Sequence, residues 1–108
     1  MLEAGYQDVS PERIKGKIVI EYAGNATTVE VEGNGRLDCV NAAIKKVTGK
    51  EYVLENYVEH ALEGKSTSQA ASYICIVENG KPFWGAGIHT DIMTSSVKAL
   101  VSAVNRML

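Results

Sequence analysis

No stretch of the 108 residues approaches the ~20 consecutive apolar residues of a membrane-crossing helix, and no secretory signal pattern opens the chain. The chain therefore reads as cytoplasmic. An excess of one charge is also missing: eleven Lys and Arg face thirteen Asp and Glu, a formal net charge of −2. That balance offers no electrostatic case for nucleic acid or for an anionic membrane surface. Cysteine is sparse. Cys39 and Cys75 sit among apolar residues, one in each half, and without a secretory context they read as buried reduced thiols. A single Cys pair makes no metal site. Length is short as well, enough for one domain with one core but not for a ~250-residue barrel.

Catalytic patterns are missing too. Glu59-His60 is half of a metalloprotease motif, but no second His follows at helical spacing. The segment reads as a strand and His60 as a hydrogen-bonded structural residue. Ser, His and Asp are scattered too loosely to assemble a triad. Gly33-x-Gly35 and Gly85-x-Gly87 each precede a helical pattern, yet both lack the third glycine and the context of a dinucleotide site.

What the chain does have is packing potential and an internal echo. Its 45% hydrophobic content supports a folded core. Ile18, Ile20 and Tyr22 alternate along 17–23, Gly24-Asn25 offers a tight turn, and Thr27, Val29 and Val31 alternate again. A helix is predicted from about Asp38 to Thr48, with Leu37, Val40, Ile44 and Val47 on one face and Gly49 as its stop. Residues 52–62 form a long alternating run, broken at 63–66. Strands over 70–78 and 81–88 flank Asn79-Gly80, a strong hairpin signal, and Pro82 falls at a strand start where its missing N–H is tolerated.

The closing helix repeats Met93, Val97, Leu100, Val101, Val104 and Leu108 at three- and four-residue steps, and Thr90 or Asp91 can cap it. Ser10-Pro11-Glu12-Arg13 offers a further helix start in a polar segment that reads as a linker or a short surface helix. The expected fold is α+β: two pseudo-repeated strand–strand–helix units with an extra long strand between them, the sheets packed with helices. Residues 1–16 form the N-terminal segment and 17–108 the domain, duplicated over about 17–50 and 51–108. Two helix N-termini of this kind suit an anion, since free N–H groups and the helix dipole favour it. Equally, the glycines can serve only to let two turns pack closely.

The segments Tyr57-Val58-Glu59-His60-Ala61-Leu62, Ser66-Thr67-Ser68-Gln69-Ala70-Ala71-Ser72-Tyr73, Trp84-Gly85-Ala86-Gly87 and Lys98 to Arg106 come in an order that resembles the C-terminal regulatory domain of 2-isopropylmalate synthase. The forms from actinobacteria and fungi are the most similar, and the likeness covers roughly residues 33–108. Arg36 and Cys39 depart from it, standing where the family often has Pro and Ala. The resemblance implies a homodimer with L-leucine as effector at or near its interface. It implies no cofactor in this domain, and a catalytic barrel elsewhere that uses a divalent metal to condense acetyl-CoA with 2-oxoisovalerate. It also implies which residues line the effector pocket: Gly35, Leu37 and Asp38 at the first helix, Leu54, Tyr57 and Ala61 on the middle strand, Ser68 and Ala70 after the break, and Thr90, Asp91 and Ile92 at the second helix. Small residues there leave room for a branched side chain and the acidic ones can accept from an ammonium. An isoleucine-sensing domain of a citramalate synthase and a ligand-free dimerisation module are the alternatives.

Overall fold

A computed structural model describes residues 2–62 and 69–108. In chain order its elements are β1 (Leu2–Ser10), β2 (Arg13–Tyr22), β3 (Asn25–Gly33), α1 (Arg36–Thr48), β4 (Val53–Leu62), β5 (Gln69–Glu78), β6 (Lys81–His89) and α2 (Ile92–Met107). Contacts divide the chain into two compact units, Met1–Lys50 and Glu51–Leu108. Each is a three-stranded antiparallel sheet, ordered β1-β2-β3 or β4-β5-β6, with one helix on one face. The α+β class is as expected, with one strand more than the sequence pattern indicates.

That strand is β1. Where the sequence suggests a linker or short helix, residues 2–10 pair with β2, and Ser10 to Arg13 close a turn instead of opening a helix. Pro11 suits such a turn through its fixed φ. The apolar alternation of β1 is confined to Leu2, Ala4 and Tyr6, opposite Ile20, Ile18 and Gly16, and gives way to exposed Gln7, Asp8, Val9 and Ser10, as at an edge strand. Half-buried Tyr6 is its anchor, with the Arg36 guanidinium 5.2 Å from its ring centre. In the second sheet the long run expected between the two units, β4, lies at the edge, and β5 takes the centre.

Two hairpin turns have positive φ at both central positions, the type that follows the twist of the strands. Asn79-Gly80 makes one as expected, at 51° and 79°. The other is Ala23-Gly24, at 54° and 81°, one residue earlier than Gly24-Asn25. Gly49 ends α1 in the left-handed region, its N–H bonded to the Lys45 carbonyl at 2.9 Å.

The first core packs Ile18, Ile20, Cys39, Val40, Ala43 and Ile44, and the second Ile74, Ile76, Ala99, Leu100, Ala103 and Val104. Both cysteines are buried and free. Burial, followed by nearby Asp38, raises the Cys39 thiol pKa, which makes it a poor nucleophile. The faces turned away from the helices differ. The first carries the pairs Arg13–Glu32 (3.8 Å) and Lys15–Glu30 (3.6 Å). The second exposes Tyr73, Trp84 and Ile88 by 41, 48 and 51%.

Candidate functional site

At the first helix start, Gly35 is the N-cap in an extended conformation and offers no side chain to the orphan N–H groups. The Asp38 carboxylate accepts instead from Asn34 N at 3.0 Å, while Leu37 beside it is half-buried. At the second start, Asp91 is the N-cap. Its carboxylate accepts from the Thr94 N–H at 3.1 Å and the Thr94 hydroxyl at 2.6 Å. His89 Nδ1 accepts from Asp91 N at 2.9 Å, so this histidine shapes the turn into α2. Thr90, Asp91 and Ile92 are all exposed.

The sheet brings further expected residues to the same helix face. Leu54 and Tyr57 are three apart, which ordinary alternation would put on opposite faces. A bulge between Leu54 and Asn56 absorbs one residue, so that Leu54 pairs with Ile76 and Tyr57 with Ile74. Both isoleucines are fully buried and separated by one residue, so Leu54 and Tyr57 share their face. Ala70, 7% exposed, pairs with Ala61 on one side and His89 on the other, in the row leading to the helix start. Ala61 is described only by its strand pairing, and Ser68 lies outside the described residues. Thus Leu54, Tyr57, Ala70 and the 90–92 turn belong to one unit, and Gly35, Leu37 and Asp38 to the other.

Between β4, β5 and α2 runs a chain of hydroxyls that the sequence reading does not single out. The Tyr57 hydroxyl donates to the Glu59 carboxylate and bonds Ser96 Oγ. Ser72 Oγ lies 2.6 Å from Ser95 Oγ and 3.3 Å from Ser96 Oγ. Ser95 and Ser96 both donate to the Ile92 carbonyl, at 2.7 and 3.0 Å. Desolvation, followed by the Glu59 hydrogen bond, raises the Tyr57 pKa, so the phenol keeps its proton and remains a donor at neutral pH. The available signal was the pair Ser95-Ser96, polar residues at core positions of an otherwise aliphatic helix face. His60, in contrast, is exposed and meets the Tyr73 ring edge-on at 6.0 Å.

A shallow groove of about 300 Å³ lies on the first unit, with Gly5, Lys15, Lys17 and Glu30 in its lining and none of the expected site residues. Among the described residues no three His, Cys, Asp or Glu are grouped to hold a metal ion, and no helix is long and apolar enough to cross a membrane.

Three antiparallel strands backed by a helix, built twice in 108 residues, define a duplicated α+β module and not a catalytic barrel. Residues 5–108 match the family model of the LeuA allosteric (dimerisation) domain, and the chain belongs to that family. Its relatives are named 2-isopropylmalate synthase. The protein of Desulfitobacterium hafniense is 47% identical over 92 residues, covering 84% of this chain and 16% of the relative. That of Helicobacter hepaticus is 41% identical over 96 residues (85% and 17%), and that of Corynebacterium glutamicum 38% over 87 residues (81% and 14%). The chain thus spans about a sixth of the length of these curated relatives.

Proposed function

We propose that this domain binds L-leucine and, as a homodimer, applies feedback to a 2-isopropylmalate synthase barrel that condenses acetyl-CoA with 2-oxoisovalerate. The observation that carries the reading is the grouping of Leu54, Tyr57 and Ala70 on the α2 face of one sheet, in the unit that also presents Thr90, Asp91 and Ile92 at a helix start. Leu54, Ala70 and Ile92 suit a branched apolar side chain, helix-start N–H groups suit a carboxylate, and Asp91 suits an ammonium. Gly35, Leu37 and Asp38 are effector contacts at the counterpart start. The dimer contact is the outward stripe of α2, in which Met93, Val97 and Val101 are only half-buried and Ile92 is 51% exposed. It begins at a proposed effector residue, and leucine regulates by preferring one of two dimer states.

The test is a thermal melt of the chain with single amino acids. Leucine raises the melting temperature by linkage, lysine and aspartate do not, and Ala70→Phe abolishes the shift. A response to isoleucine alone moves the reading to a citramalate synthase domain. No response to either leaves a ligand-free dimerisation module.

A further inference from the structure

Ser72, Ser95 and Ser96 are each fully buried and are the buried serines among the described residues. Burying a hydroxyl costs free energy unless its hydrogen bonds are replaced, so a helix seated on a sheet is more simply made with Ala. Further along α2, Ala99 and Ala103 pack on Gly85 in that way.

The first unit shows that the serines are not needed for the fold. Aligning the caps Gly35 and Asp91 puts Cys39 and Val40 where α2 has Ser95 and Ser96, and Gly16 where β5 has Ser72. The equivalence is spatial as well: a Cβ at Gly16 would lie 3.1 Å from Cys39 Cβ, just as Ser72 Oγ meets Ser95 Oγ. The same seat is therefore apolar in one copy and hydroxylic in the other.

Ser96 is the branch point. It has one proton and four acceptors in reach: the Ile92 carbonyl at 3.0 Å, Ser72 Oγ at 3.3 Å, Glu59 at 3.4 Å and the Tyr57 oxygen. Given to Ile92, the proton closes the first turn of α2 on itself; given to Tyr57 or Glu59, it ties that turn to β4. Back-bonding to a carbonyl four residues earlier competes with the helix's own N–H for the same acceptor, so the two choices hold the turn differently.

We propose that Ser96, supported by Ser72 and Ser95, is a positioning residue that links the Tyr57 hydroxyl to the first turn of α2, so that displacement of the Tyr57 ring is felt at residues 92–96. The proposal deepens the leucine reading and rests on it for the identity of what displaces Tyr57. Its structural half is testable without any ligand. In Tyr57→Phe, amide hydrogen exchange at Ser96 and Val97 becomes about fivefold faster, the loss of one hydrogen bond, while Val40 and Ile44 in α1 are unchanged. Unchanged exchange at Ser96 and Val97 overturns the link.

In calorimetric titration with L-leucine, Tyr57→Phe and Ser96→Ala each weaken binding about fivefold, and the double variant binds no more weakly than either single one. Multiplying single effects also overturn the link, because the two groups then act separately. Failure of the unsubstituted chain to take up leucine sinks the leucine reading alone, and the exchange experiment then decides the link.

Discussion

On β3, Val29 and Val31 stand between the strand and α1, half-buried, while their counterparts on β6 are Gly85 and Gly87, with α2 lying directly on the strand backbone. α1 divides its contact about evenly between β2 and β3, whereas α2 rests mainly on β6. One duplicated unit thus seats its helix in two ways. In the first, side chains act as spacers and the close approach is at Gly16, under Cys39; in the second, the close approach moves to the edge strand and the vacated central position holds Ser72. Shifting the helix toward β6 makes room for hydroxyls over β5, so the glycines and the serines are parts of one arrangement.

The sharpest way to break this comparison is Gly85→Val. A Cβ there would overlap the Ala99 carbonyl oxygen and the Ala103 nitrogen, both backbone atoms that no rotamer change can move. The expected loss is about 3 kcal/mol or more by urea denaturation, against about 1 kcal/mol for Val31→Ala on the spacer side. The next effect concerns association. Val97→Lys on the outward stripe of α2 weakens the proposed dimer at least tenfold, about 1.4 kcal/mol, in sedimentation equilibrium, while Lys17→Glu on the charged sheet leaves it unchanged. If Trp84→Lys disperses the dimer and Val97→Lys does not, association runs through the exposed sheet face instead.

The two caps sharpen the contrast further. Asp91→Ala removes the acceptor for Thr94 and costs about 1 kcal/mol in thermal denaturation, whereas Gly35→Asp supplies a missing cap and adds only a few tenths. The smallest effect lies in the hairpins. Ala23→Asn brings the first turn to the chemistry of Asn79-Gly80 and raises stability by about 0.5 kcal/mol, since Ala is strained at a φ of 54° and Asn is not.

Where one physical signal dominates, these elements are legible in the sequence. Asn79-Gly80 marks its hairpin, Gly49 stops α1, and the three- and four-residue steps of α2 mark a helix. β1 escapes notice because its alternation, Leu2, Ala4 and Tyr6, is only three apolar residues long and ends in wet side chains. The site is legible in part. The acidic helix starts are visible as sequence features and Ala70 only through the family resemblance, while the common face of Leu54 and Tyr57 depends on a bulge that alternation cannot reveal. The buried serines stay hidden because helical periodicity shows which face is inward, while hydrogen bonding across the sheet decides whether that face tolerates a hydroxyl.

The bulge at Glu55 also has a consequence for chain length. Because two residues there oppose Cys75 alone, the loss of one of them would restore regular pairing and leave Leu54 opposite Ile76 and Tyr57 opposite Ile74. At this point the strand holds a residue of slack. A relative one residue shorter at Glu55 would therefore present the same two side chains to α2, and a gap placed there in a comparison of relatives would leave this face of the strand unaltered.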